Sequence, residues 1–314
     1  MVKTIVYRAI QFLFVAWAVA TLMFFVMRLS GDPARLIAGI QASEEQVETI
    51  RKRLGFDRPN YVQYLVFLRD LTPHLDEDGN FKILDFGDSF SSREPAINLV
   101  AKGIIVTGQL SGLAFLIAVI LAIPVGVLAA VHRGKWRDWG IVGLTLIGQS
   151  MPHFWLGLLL ILFFSVQLDW FPAFGWESPS SWILPALTLS AYPLARFARM
   201  IRADMIEVLA QDYVRTARSK GLSENTVRVR HALRNALLPT VTIMGFDLAT
   251  IFGGSLIVEN VFAVPGIGNQ MIIAMNQRDI PVVQAIVFVV ALVTVSVNLI
   301  VDFSYRYLDP RTSN

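Results

Sequence analysis

The chain has 314 residues, 54% of them hydrophobic and only 16% charged, with a formal net charge of +3. A soluble domain carries about 25% charged residues, so this composition excludes an ordinary soluble enzyme, and the basic excess is read through membrane topology rather than as affinity for nucleic acid. With no cysteine, disulfide frameworks, zinc–cysteine sites, iron–sulfur clusters and cysteine catalysis are excluded as well.

A helix that crosses a bilayer needs about 20 predominantly apolar residues, and the sequence predicts six spans, at 9–27, 103–131, 139–168, 182–195, 235–258 and 280–301. The fourth is short, and the fifth carries Asp247 in its middle. Lys3, Arg8 and Ala18-Val19-Ala20 resemble parts of a signal peptide, but the apolar run is too long for one and reads as an uncleaved first span. Between the first two spans, Ser43 followed by Glu44-Glu45-Gln46 has capping-box spacing. Val47, Ile50 and Leu54 then repeat at helical spacing, with Gly55 and Pro59 to stop the helix. A second short helix is expected over 61–71, and a solvated turn at Asp76-Glu77-Asp78-Gly79-Asn80, which lacks the ligand order of a calcium loop.

Lys and Arg mark the inner side of a membrane protein when counted over short loops. Lys3 and Arg8, then Arg133, Lys135 and Arg137, then nine residues between 196 and 234, then Arg306 and Arg311 fall on one side. The segment 169–181 has none and the loop before the last span only Arg278. Both termini are therefore expected in the cytoplasm, with 30–102 outside. The resulting layout is an N-terminal helix (1–29), an outer loop (30–102), a transmembrane core (103–302) with a cytoplasmic loop at 196–239, and a tail (303–314).

No His-Glu-x-x-His or Gly-x-Ser-x-Gly is present, and Gly134-Lys135 is followed by Trp136, so there is no P-loop. If ATP is used, another chain must bind it. His153 after Pro152 is expected beside a helix break, bonding a backbone carbonyl. Arg196, Arg199 and Arg202 share a helical face and are expected to snorkel toward headgroups. Beyond them Met205, Ile206, Leu209, Tyr213, Val214 and Ala217 recur at helical intervals up to Gly221. Ser223 starts another helix with Val227, Leu233 and Leu237 on one side. Two amphipathic helices meeting at Lys220-Gly221-Leu222 make a compact cytoplasmic knob suited to a groove on a partner.

The run from Asp212 to Leu222, followed by His231-Ala232-Leu233-Arg234-Asn235-Ala236-Leu237-Leu238-Pro239, resembles the EAA loop of ABC importer permeases, specifically the dipeptide/oligopeptide/nickel branch. Arg215-Thr216-Ala217 stands where the general motif has Glu-Ala-Ala. Further blocks match in order: Ser30-Gly31-Asp32-Pro33, Leu54-Gly55-Phe56-Asp57-Arg58-Pro59, Phe86-Gly87-Asp88-Ser89, the run from Glu259 to Gly268, Asn298-Leu299-Ile300-Val301-Asp302, and Leu308-Asp309-Pro310-Arg311. The resemblance implies an all-α, type I importer fold in a bacterial inner membrane, without catalytic residues, metal or a cofactor of its own. It implies a second related permease, two ATP-binding subunits that use ATP, and an extracytoplasmic binding protein. Asp212, Arg215, Ala217, Lys220, Gly221, Leu222 and Glu224 become the ATPase-docking residues. Asp247 has two open roles, lining a translocation path or bonding between helices across a subunit interface. Glu259 and Asp302 are expected to be structural, through loop anchoring or pairing with Arg. The branch moves dipeptides, oligopeptides, glutathione, nickel complexes, opines and some oligosaccharides, and di- or oligopeptides are the expected cargo. A self-powered secondary transporter is the rival class, and would leave the knob unexplained.

Overall fold

A computed structural model describes residues 2–308 except Ser30, Ile40, Gln41, Leu54, Asp76, Glu77, Asp78 and Asn80. Most of the expected acidic turn, and the tail beyond Leu308, therefore lie outside the described residues. The helices in chain order are α1 (Val2–Leu29), α2 (Pro33–Ala38), α3 (Glu44–Arg53) and α4 (Asn60–Leu71), then a small hairpin of β1 (His74–Leu75) and β2 (Phe81–Lys82). They continue with α5 (Ala96–Val131), α6 (Trp136–Ser150), α7 (His153–Leu160), α8 (Ile183–Leu209), α9 (Asp212–Ser219), α10 (Glu224–Thr226), α11 (Arg234–Val261), α12 (Ile267–Gln277) and α13 (Ile280–Leu308). Where a single domain over 1–314 is expected, the chain falls into two compact units, Met1–Ile105 with Gly266–Ser296, and Val106–Pro265 with Val297–Asn314.

In the first unit, Asp32 caps α2 through Ala34 N and accepts from Arg51 at 2.6 Å. The capping box on α3 forms in both directions, Gln46 N to Ser43 Oγ at 3.3 Å and Ser43 N to Gln46 Oε1 at 3.0 Å. Gly55, at φ +70°, ends the helix as expected. α4 docks on α1 through polar and aromatic contacts together. Thr21 Oγ1 meets Tyr64 OH at 2.7 Å, Phe24 packs edge-on to Tyr64, and Arg28 bonds Gln63. Farther along the chain, the buried Asp279 accepts from Ser89 Oγ and Ser91 N, fixing the start of α13 to the segment before α5. α12 was not foreseen; it follows Gly266 and ends at Arg278, which takes the left-handed φ of 57°.

The second unit holds a bent pair of helices where one span is expected, and the chain departs from the six expected spans. Among the described residues, four helical stretches of the two units are long and apolar enough to cross a membrane, Val6–Leu29, Ala96–Val131, Glu224–Val261 and Ile280–Val301, and Trp136–Ser150 with His153–Gln167 makes a fifth only as a pair bent by 109°. Pro152 causes that break. It lacks the N–H that would continue the helix, and it drives Met151 to extended backbone at ψ 129°. His153 does lie at the break, but its ring packs edge-on to Tyr192 at 6.4 Å, with no carbonyl bond among the described residues. The expected fourth span is the apolar first half of α8, whose second half carries the arginines.

Packing in this unit rests on small residues. Ala114, Ala118 and Ala122 lie four apart on α5, wholly buried, and let α5 approach its neighbours closely. At Gly126 the approach is tightest: a Cβ there would sit 2.7 Å from the Ala198 carbonyl of α8 and 2.8 Å from Ile201 Cβ. The core continues through Phe197, Ile201, Met205, Ala232 and Ala236. Gly126→Ala is expected to destabilise the protein by about 1–3 kcal/mol through overpacking, read as a lowered Tm of the purified chain in detergent.

Candidate functional site

The knob is built on the end of α8. α8 ends at Leu209, and α9 starts after Gln211. Val214 and Ala217 of α9 and Val227 beyond α10 bury their side chains together, with Val208 and Leu209 packed against them. Gly221, at φ +76°, reverses the chain, with its N–H on Arg218 O at 2.9 Å and Leu222 N reaching Ala217 O at 3.4 Å. Ser223 then caps α10 through Thr226 N at 3.3 Å.

Charge sets the rim. Glu224 takes Arg218 Nε at 2.8 Å and Arg228 Nε at 3.4 Å, bridging the two helices. The hydrogen bond from Arg218, with Arg228 adding to it, holds the Glu224 carboxyl below the usual carboxylate range. Tyr213 OH accepts from Asn235 Nδ2 at 2.8 Å, tying α9 to α11. Asp212, Arg215, Lys220, Gly221, Leu222 and Glu224 are exposed on the knob's surface. Ala217 is not: it is 6% exposed and belongs to the knob's interior. Its small side chain lets α9 close onto Val227, so it shapes the face without forming part of it. The predicted second helix, from Ser223, does not stop at the membrane. It passes through a π-helical stretch, Val227–Leu233, directly into α11.

Above the knob, Arg196 and Arg202 of α8 pair with carboxylates of neighbouring helices. Arg196 Nη1 donates to Asp247 Oδ1 of α11 at 2.7 Å, with Asp247 almost wholly buried and its Oδ2 unpartnered among the described residues. Asp204 of α8 accepts from Thr240 Oγ1 of α11 at 2.7 Å. Arg202 grips Asp138 at the start of α6 with two bonds, Nε to Oδ1 at 2.6 Å and Nη2 to Oδ2 at 2.8 Å, and Gly134 N adds a third at 2.9 Å. The snorkelling expectation fails for Arg196 and Arg202 because buried carboxylates on neighbouring helices offer charge-assisted bonds. Sequence reasoning missed Asp138, Asp204, Thr240 and Asn235. A carboxylate beside a basic inner loop was the available signal for Asp138. At the other end of α11, Glu259 is fully buried and accepts from Thr107 Oγ1 at 2.7 Å and Ser255 Oγ at 2.8 Å, a structural anchor met by hydroxyls. Asp302 lies in α13, and its side chain is outside the described residues.

Comparison with known proteins agrees with this architecture. Residues 122–314 match the family of binding-protein-dependent transport system inner membrane components, and residues 1–111 match the N-terminal component of such systems. The chain is 42% identical over 320 residues to a protein named as a peptide transport system permease in Brucella suis biovar 1, covering 99% of both chains. It is 39% identical over 311 residues to the glutathione transport system permease protein GsiC of Escherichia coli K12, covering 99% of this chain and 98% of that one. Among solved structures, the methionine ABC transporter MetNI in an inward-facing conformation aligns at a TM-score of 0.58, 18% identity, over 67% of this chain and 96% of that one. An amino acid ABC transporter with histidines aligns at 0.53 and 20% identity, over 67% and 94%.

The turn at Gly221 is the knob's most demanding backbone position. Gly221→Val is expected to impose about 1–3 kcal/mol of strain. Measured by hydrogen exchange, amides of α9 should then exchange about five- to 150-fold faster, because local opening costs that much less.

Proposed function

The chain belongs to the family of binding-protein-dependent transport system inner membrane components and is the permease of an ABC importer, and on that premise we propose that it forms half of a translocation path for di- or oligopeptides. The other half is a second, related permease. Two ATP-binding subunits dock from the cytoplasm and an extracytoplasmic binding protein delivers cargo. Both termini face the cytoplasm. This chain holds no ATPase site and no cofactor, and the ATP is consumed by the partner subunits.

One observation carries the coupling role. The knob's second helix and the membrane helix are a single stretch, Glu224–Val261, of 38 residues. A displacement at the knob is therefore a displacement of the helix that holds Asp247. Closure of the ATPase dimer pushes on Asp212, Arg215, Lys220, Gly221, Leu222 and Glu224, and the membrane helices pass between inward- and outward-facing arrangements. The peptide assignment draws on the Brucella relative, and glutathione is the second reading, because a relative of nearly equal identity is named for it. Nickel complexes, opines and oligosaccharides complete the range of the branch.

Asp247 belongs to the path in this reading. Arg196 engages only Oδ1, which leaves Oδ2 as an acceptor for a peptide ammonium group. The complex reconstituted with its ATPase, partner permease and binding protein should hydrolyse ATP faster when the binding protein is loaded. Competition between a dipeptide series and glutathione for uptake then decides the cargo. Asp247→Asn should lower uptake by about tenfold, the worth of one charge-assisted bond, with assembly and stimulated hydrolysis retained. Unchanged uptake of every cargo would leave Asp247 as a tie between helices and remove it from the path.

A further inference from the structure

We infer that Asp138 and Arg202 are positioning residues that carry the displacement of the knob into α6, making the bend at Met151-Pro152 the place where that span yields during transport. The inference rests on the reading of the knob as the ATPase-docking element. Nothing in that reading assigns a role to α6 or to the turn before it.

The physical chain has three links. Val208 and Leu209, at the inner end of α8, are part of the knob's own core with Val214, Ala217 and Val227. The knob therefore cannot move without the end of α8. Two turns earlier on the same helix, Arg202 holds Asp138 by two parallel bonds at 2.6 and 2.8 Å. A single contact would fix a distance, but a two-point fork also fixes orientation. Asp138 in turn is bonded by Gly134 N, so the fork grips the turn at 132–135 as well as the first residues of α6. Its side chain is 5% exposed and that of Arg202 28% exposed, so the pair is shielded from competing water.

The third link is the break. α6 and α7 meet at 109° across Met151 and Pro152, where backbone hydrogen bonding is interrupted. A force entering α6 at Asp138 meets a stiff helix up to Ser150 and a joint immediately beyond it. Buried ion pairs add little net stability compared with apolar side chains of similar volume. Positioning α6 on α8 is the role that accounts for this one.

The test uses the complete importer in proteoliposomes. Asp138→Leu combined with Arg202→Met replaces the pair by apolar side chains and avoids leaving one charge buried alone. This double variant should assemble and hydrolyse ATP under stimulation by loaded binding protein, while uptake per ATP falls about tenfold, within the usual range of coupling between distant sites. Unchanged uptake per ATP overturns the inference. A second measurement stands even if that variant fails to assemble. The chain has no cysteine, so Lys135→Cys with Ser219→Cys takes a pair of spin labels, one on the turn before α6 and one on the knob. Their separation should stay constant between the nucleotide-free and ATP-bound complexes, and a change of several ångströms overturns the rigid link. Absence of stimulated hydrolysis in the unsubstituted complex would count against the docking reading and not against the link, which the label distance decides by itself.

Discussion

A charge withdrawn from water has to be met by a partner, and the arrangement of α8 follows from that requirement. Left without Arg196, the almost wholly buried Asp247 carboxylate would cost several kcal/mol. Together at 2.7 Å they fix the register of α8 against α11. Asp204 with Thr240 repeats the tie nearer the knob, and Tyr213 with Asn235 ties α9 to α11 within it. Two polar contacts at successive heights make α8 and α11 difficult to slide, and Tyr213 adds a third tie from α9. Sliding by one turn would strand a buried carboxylate and a cation at the same time.

Close packing makes those contacts reachable. Helices that carried large side chains at every contact would stand too far apart for hydroxyl-to-carboxylate bonds. The buried alanines of α5 and Gly126 bring α5 onto α8, and Gly245 does the same for α11 against Val301, where a Cβ would meet Cγ1 at 2.7 Å. In lipid no hydrophobic effect drives helices together, so close van der Waals contact and interhelical hydrogen bonds must supply the association. Small residues and polar ties are two halves of one solution.

Much of this was legible in the sequence, and the limits have physical causes. Apolar runs announced α1, α5, α11 and α13 because a bilayer demands length and apolarity of each helix separately. The capping box at Ser43 and the stop at Gly55 were readable because they are local chemistry. The knob was readable for the same reason, since its two amphipathic helices and their glycine turn are adjacent in the chain. The partners of Arg196 and Arg202 were not. Asp247 and Asp138 are distant in sequence, and the basic residues of an inner loop are explained equally well by headgroups until the neighbouring helix is in place. Pro152 was visible, but a long apolar run masked its effect. Composition alone does not separate one straight span from two bent halves. The burial of Ala217 was not legible either, because family resemblance marks a motif without telling its surface from its interior.

The division between stiff and soft parts bears on how such a subunit couples motion over distance. Along the helix axis, Glu224 and Asp247 are separated by about 35 Å at ~1.5 Å per residue. Energetic coupling over such a length needs elements with discrete arrangements, not a general softness. Continuous helix from the knob upward and the ties between α8 and α11 supply the stiffness. The hydrogen-bond ladder changes at the π-helical stretches Val227–Leu233 and Ile161–Gln167, at Pro193 inside α8 and Pro239 inside α11, and at the joint at Pro152; the knob's core at Val227 and the ties at Asn235 and Thr240 bracket Val227–Leu233 and Pro239. A push on the knob is then not dissipated between these points. It either leaves every tie intact and turns α8 and α11 as a block, or it breaks a buried pair at a cost of about 3–5 kcal/mol. The first route is cheaper, which favours a block motion of the knob, α8 and α11, with bending taken up beyond the ties, at the joint at Pro152.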